Sequence, residues 1–352
     1  MTVQPGTEND ADIDRPFRKG FWITPDRFRM RFLVTGGSGF IGAHVVRQLA
    51  EQGHEVVSFD IGDQSPIVRP VQGTVQHVRG DVTEPTDVFQ ALLTERPDAI
   101  VHLAAMLGRE SATNPVAAID VNVRGTVNVL EAARTCGCPR VILASSAAVY
   151  GTVPADVTAL TETTPRNPET LYGITKRTIE DIGTWYGGHH DLETAAIRPV
   201  HGLGPDRKRG NVEDAYIIKA AVSGTSIEVP AFDYPFEIVA VQDQAAAFVA
   251  AATADELPND RYIVGSGRQV TLREFVDMVT DAVPGADIGL GAARGDDTIQ
   301  RRPPSDPDRL RRDFGWAVAH SIPETIESYV NWLENNPDEW SIDTSDPPWH
   351  PE

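Results

Sequence analysis

Tyr172 and Lys176 stand four residues apart in LYGITKRTIEDIGTWYGG, a stretch of helical period, so one helix face carries both side chains. An ammonium beside a phenol favours the phenolate and is expected to lower the tyrosine from its ordinary ~10 toward working pH, as a general base requires. The chemistry suggested is proton transfer. Such a spacing also occurs by chance in helices, but lysine is scarce here: only Lys19, Lys176, Lys208 and Lys219 are present. A hydroxyl donor lies upstream in ASSAAVYG. Ser146 would end a strand at the ligand edge of a sheet, where its hydroxyl could bond a substrate oxygen and hold it against Tyr172. Ser145 is the rival, because one of two adjacent strand serines must face away, and a strand-end serine can also be a simple turn residue.

A second constellation lies near the start. The run RFLVTG leads into TGGSGFIG, with Gly36, Gly39 and Gly42, and then into a helical stretch. Glycine at these positions allows a tight turn, close backbone approach to a pyrophosphate and close helix packing, while the helix N-terminus offers unpaired N–H groups to the anion. Strand, loop and helix in this order distinguish a dinucleotide site from an ordinary glycine-rich turn. The next strand ends at Asp60, near the ~20-residue spacing at which a carboxylate meets the adenosine ribose hydroxyls. A 2′-phosphate there would meet like charge, and Ile61 and Gly62 bring no arginine, so NAD is expected rather than NADP. The plainer alternative is a solvated strand-end aspartate.

These groups need a scaffold. From Met30 onward, the β-branched runs RFLVTG, EVVSFD, VQHVRGD, AIVHLAA, RVILASS and ETAAIRP alternate with amphipathic stretches of helical period. Right-handed β-α-β crossovers put such strands in one parallel sheet covered on both faces. The predicted fold class is α/β: a Rossmann-type doubly wound parallel sheet with a smaller C-terminal α/β substrate-binding domain. Residues 1–29 read as a loose extension, or as sequence after an upstream start codon. Residues 30–200 read as the cofactor domain, rejoined by part of 238–265. Residues 201–336, which begin with the loop HGLGPDRKRG and end in the helix ETIESYVNWLENN, read mainly as the substrate-binding domain, and 337–352 as an acidic, proline-rich tail. No internal repeat is found.

Composition bounds the function. The 352 residues are 41% hydrophobic, enough for a large core and about two domains. No run reaches the ~18–20 consecutive apolar residues of a membrane span, and the acidic N-terminus is unlike a signal peptide, so a cytoplasmic protein without membrane partners is expected. A formal charge of −20 opposes binding to nucleic acid. With arginine supplying nearly all the cations, that charge also suits a halophilic, salt-loaded cytoplasm, although a GC-rich genome would explain the lysine shortage equally well. Cys136 and Cys138 are too few and too close for a disulfide framework or a complete zinc site, and no metal is expected.

TGGSGFIG, Asp60, GDVTE, HLAA, NVRGTVNVLEAA, SSAAVYG, Y-G-I-T-K and DFGW, in that order over roughly residues 30 to 335, resemble the extended short-chain dehydrogenase/reductase family, and within it the NAD-dependent, UDP-galactose 4-epimerase-like group. The resemblance implies that Gly36, Gly39, Phe40, Ile41, Gly42 and Asp60 contact NAD, that Asp81 and Val82 border its adenine, and that Leu103, Ala104 and Ala105 line the path to the nicotinamide. It also implies Asn122 beneath that ring and Pro199 near it, Ser146, Tyr172 and Lys176 as catalytic serine, tyrosine and lysine, and a Lys176 bond to the nicotinamide ribose.

The resemblance also implies the chemistry. Tyr172 takes a proton from a substrate hydroxyl while the adjacent carbon gives hydride to NAD, and return of the hydride to the other face is epimerisation. Ala147-Ala148-Val149 carries no carboxylate where the family's dehydratases and decarboxylases have one, which disfavours elimination and decarboxylation. Substrate contacts match less well. Phe236 stands where an arginine for a diphosphate is expected, and His201 where an asparagine is expected. Phosphate could still be met by Arg207, Lys208, Arg209, Arg301 or Arg302. The expected activity is therefore a nucleotide-sugar 4-epimerase. The alternatives are an NAD-dependent dehydrogenase of a sugar acid, sugar or amino-alcohol, and a non-catalytic NAD-binding scaffold. The partners expected are a small sugar-type substrate and a second copy of the chain, paired through PVAAIDVNVRGTVNVLEAAR and LYGITKRTIEDIGTWY.

Overall fold

The computed structural model describes residues 29–210, 212–230, 234–292, 302–340, 342–344 and 347–348. The expected loose extension, save Arg29, lies outside these residues, as do Arg301 and part of the acidic tail. Strands β1 (Arg31–Thr35), β2 (Glu55–Asp60), β3 (Val75–Arg79), β4 (Ala99–His102), β5 (Arg140–Ala144) and β6 (Glu193–Pro199) alternate with helices α1 (Phe40–Glu51), α2 (Pro85–Glu95), α3 (Gly108–Thr113), α4 (Pro115–Ile119), α5 (Gly125–Cys136) and α6 (Leu171–His189). There follow β7 (His201–Leu203), α7 (Glu213–Ser223), β8 (Ile227–Val229), β9 (Phe236–Ala240), α8 (Val241–Thr253), β10 (Arg261–Val264), β11 (Gln269–Val270), α9 (Leu272–Ala282), β12 (Ile288–Leu290), α10 (Asp308–Phe314) and α11 (Ile322–Glu334).

The main sheet has seven strands in the order β10-β6-β5-β4-β1-β2-β3, every neighbouring pair parallel. This is the expected Rossmann-type doubly wound architecture. The period of two is visible in the core. Phe32 and Val34 of β1, Val101 of β4 and Ile142 of β5 pack with Val45, Val46, Leu49 and Phe248 on one face. The alternate residues Leu33, Ile100 and Val141 pack with Val129, Leu130 and Leu192 on the other. Strand order reverses between β1 and β4, which opens a crevice at the carboxyl ends of the strands.

A separate apolar cluster gathers Ile217 and Ile218 of α7, Phe275 and Val279 of α9, and Ile326, Tyr329 and Leu333 of α11, with Val229 and Ile238 from short strands. HGLGPDRKRG is not loop throughout. Its first three residues form β7, because pairing with β9 in the register His201↔Ile238 satisfies their backbone groups. The helical run 115–136 is also interrupted: Asp120–Arg124 form a π-helical turn between α4 and α5.

Candidate active site

The strand ends and the C-terminal segments enclose a cleft of about 1330 Å³. Its glycine-rich side is set by backbone contact. Gly36 has φ +68°, and a Cβ there would lie 2.6 Å from the Ala104 nitrogen; a Cβ on Gly42 would lie 1.9 Å from the Gly36 carbonyl oxygen. Turn and helix therefore close on each other only without side chains. Gly37, which the spacing argument does not single out, is equally confined: its Cβ would meet the Ser58 hydroxyl at 2.5 Å. The capping residue Gly39 supplies no side-chain acceptor, so the first N–H groups of α1 face the cleft uncapped.

Asp60 is more than a solvated strand end. Its two carboxylate oxygens accept from the Ser38 N–H at 3.0 Å and the Gly62 N–H at 2.9 Å, tying the end of β2 to the glycine turn. The chemistry of this cradle fits NAD: uncapped N–H groups for a pyrophosphate, glycines where a side chain would intrude, and a carboxylate at the end of β2. Phe40, Ile41, Asp81, Val82, Leu103, Ala104, Ala105 and Pro199 also line the cleft. Asn122 does not. It is buried behind the wall, where its amide accepts from the Met106 N–H at 2.8 Å and donates to the Met106 carbonyl at 3.0 Å and to Thr175 Oγ1 at 3.1 Å.

Ser146, Tyr172 and Lys176 line the cleft together, with Ser146 hydrogen-bonded to the Tyr172 phenol. Thr170 caps α6 by accepting from the Gly173 N–H at 3.1 Å. A Cβ on Gly173 would lie 2.5 Å from the Ala148 carbonyl, so the first turn of α6 docks on the turn 147–150 only because residue 173 is glycine. That contact brings Tyr172 beside Ser146. The Ser145 hydroxyl instead donates to Glu180 at 2.5 Å, on the far side of the strand end. Glu180 is buried and held by both Nε and NH2 of the buried Arg198, each at 2.7 Å.

Burial of the phenol works against the expected lowering. Burial pushes Tyr172 up to about 12, against the opposing pull of the Ser146 hydroxyl. Lys176 donates to the Ala144 carbonyl at 2.7 Å, with its ammonium 5.6 Å from the centre of the Tyr172 ring. Burial brings Lys176 itself down to about 8, partly offset by Glu180. Desolvation of a phenolate thus outweighs its hydrogen bond to Ser146.

His201, Phe236 and Arg302, the other expected substrate contacts, also line the cleft. Phe236 packs edge-on against Phe275 with ring centres 6.1 Å apart. Arg302 donates from Nε to the Gly151 carbonyl at 3.4 Å. His201 lies between Asp214 at 2.8 Å and Arg207 at 3.4 Å, two partners that no motif in the sequence connects. Burial opposes ionisation of Asp214, yet Arg207 and His201 outweigh it and hold the carboxyl down at about 2. Among the described residues no cluster of three or more His, Cys, Asp or Glu could hold a metal, and no helix is long and apolar enough to cross a membrane.

Residues 32–265 match the model of the NAD dependent epimerase/dehydratase family. A UDP-glucose 4-epimerase of Mycolicibacterium smegmatis is 31% identical over 320 residues, covering 86% of this chain and 99% of that protein. One from Lactobacillus helveticus is 29% identical over 333 residues, covering 88% and 98%. The crystal structure of the Thermus thermophilus UDP-glucose 4-epimerase in complex with NAD superposes with a TM-score of 0.78 at 29% identity, covering 87% of this chain and 99% of that one.

Proposed function

The chain belongs to the NAD dependent epimerase/dehydratase family, and from that premise we propose that it is a 4-epimerase of nucleotide sugars of the UDP-hexose type. The observation that carries this reading is the convergence of Ser146, Tyr172 and Lys176 in one cleft with the glycine turn and Asp60. NAD supplies a reversible hydride acceptor when bound. Tyr172 takes the proton of the substrate hydroxyl and later returns it. Ser146 donates a hydrogen bond to the same oxygen, and Lys176 keeps positive charge near the phenolate. Carbon configuration inverts when the intermediate ketone is reduced from its other face. Residues 30–200, with part of 238–265, hold the cofactor in this reading, and 201–336 mainly hold the substrate.

A second reading, an NAD-dependent dehydrogenase of a sugar acid, sugar or amino-alcohol, is favoured by Phe236, an apolar ring where a diphosphate would call for a cation. Incubating the purified protein with NAD and panels of UDP-hexoses and free sugar acids, at low and high salt, separates the two. Interconversion of UDP-hexose isomers without net NADH is expected; NADH accumulating with a free sugar acid overturns the epimerase.

We extend the reading to assembly and setting. Exposed Val116 and Ile119 of α4 and Ile174 and Trp185 of α6 suit a homodimer interface, which light scattering would test. The −20 charge suits a halophilic cytoplasm, and stability that rises with molar salt is the expected result.

A further inference from the structure

His201 opens β7 in register with Ile238 of β9, so it lies on the same sheet face as Phe236, one strand over. The two departures from the expected substrate contacts therefore share one corner of the cleft. Arg207 reaches that corner from the following loop. Its NH2 lies 3.4 Å from His201 Nδ1, its NH1 lies 3.8 Å from Asp214, and its guanidinium carbon stands 5.4 Å from the centre of the Phe40 ring in the glycine turn. A guanidinium has only donors, so in this contact Nδ1 accepts, while Nε2–H is donated to Asp214 at 2.8 Å. Asp214 also accepts from the Ala215 N–H at 2.9 Å. Arg207 is buried, yet it lines the cleft together with Phe40, His201, Asp214 and Phe236.

Lys208, Arg209 and Arg302 also line the cleft, but none of them is seen against His201 or the Phe40 ring as Arg207 is. Lys208 pairs with Asp206 at 2.8 Å and Glu339 at 3.0 Å, and the mostly exposed Arg209 lies 3.8 Å from Glu110. We propose that Arg207 is a specificity-determining cation of this cleft: oriented by His201 and Asp214, it binds an anionic oxygen, phosphate or carboxylate, in the corner where Phe236 supplies no charge. A planar guanidinium whose orientation is fixed by its neighbours suits such an oxygen better than a flexible ammonium. The anion belongs either to the substrate or to the pyrophosphate of the dinucleotide, since Arg207 lies between Phe40 and the substrate corner. As a substrate contact the proposal rests on the nucleotide-sugar reading; as an anion contact it does not.

Calorimetric titration of wild type, Arg207→Gln, Arg207→Lys and His201→Phe tests it. The probes are NAD, then UDP, uridine and galacturonate on the NAD-loaded protein. A loss of about tenfold or more in UDP affinity for Arg207→Gln, a smaller loss for Arg207→Lys and unchanged uridine binding assign the anion to the substrate. An equal loss confined to NAD assigns it to the cofactor. If wild type binds no UDP but binds galacturonate, the nucleotide reading fails, and loss of galacturonate binding in Arg207→Gln still supports Arg207. Unchanged affinity in all anionic arms overturns the proposal. For His201→Phe, KM should rise more than kcat falls, and anion affinity equal to wild type would remove His201 as the positioning residue.

Discussion

The Lys176 ammonium stands 5.6 Å from the centre of the Tyr172 ring while its hydrogen bond goes to the Ala144 carbonyl, so cation and phenol communicate through space and not through a shared proton. Ala144 ends β5, and Ser145 and Ser146 follow it. The same strand end thus anchors the lysine, ties Ser145 to α6 and delivers Ser146 to the cleft.

With Tyr172 at about 12 and Lys176 at about 8, the charge beside the phenol is present below pH 8 and lost above it. Proton abstraction needs ionised Tyr172 beside charged Lys176, so we expect kcat/KM to rise with pH up to about 8 and level off above it, and Lys176→Arg, which stays charged, to carry the rise to higher pH. Tyr172→Phe should keep NAD affinity and lose roughly 10²–10⁴ in turnover. A wild-type profile flat below pH 8, or full activity in Tyr172→Phe, would refute the assignment.

The adjacent serines should separate cleanly. Ser146→Ala is expected to lower kcat about a hundredfold with little change in melting temperature. Ser145→Ala takes a donor from the buried Glu180 carboxylate and should cost about 1–3 kcal/mol in urea unfolding, with the smaller effect on kcat. The reverse pattern would exchange their roles.

Asp60→Ala should weaken NAD binding more than NADP binding, by about tenfold, because the carboxylate that repels a 2′-phosphate is gone along with the acceptor of the Ser38 N–H. Fluorescence titration with both reduced dinucleotides measures this. An unchanged preference would leave Asp60 only its role in holding the turn.

His44 and His102 are buried, and burial lowers them to about 4 and about 3. Because the unfolded chain takes up these protons first, the stability they contribute is complete above about pH 6.5 and lost as pH falls toward the folded values. Each should remove about 2 kcal/mol between pH 7.5 and pH 5. His102→Asn, whatever its cost at pH 7.5, should shrink the pH dependence of the urea midpoint; equal slopes in mutant and wild type would contradict this.

Much of the scaffold and cofactor cradle is legible in the sequence because the requirements are local. Alternating apolar residues specify strands, Gly36 and Gly42 report a backbone approach between residues six apart, and Tyr172 and Lys176 share a face through helix geometry alone. Gly173 carried a signal too, a glycine between two candidate site residues, but its meaning depends on Ala148 approaching from another segment. The π-helical turn at Asp120–Arg124, the retreat of Asn122 behind the wall and the pairing of β7 with β9 depend on long-range packing that no local period encodes.

The sequence by itself determined which groups can exchange a proton and where a dinucleotide turn must lie, since spacing within one element fixes which side chains share a face. Only the tertiary structure decided the acidity of Tyr172, the choice between Ser145 and Ser146, and the joining of His201, Asp214 and Arg207. Desolvation and partner geometry arise when distant segments exclude water around the same few atoms, and that exclusion is a property of the packed chain.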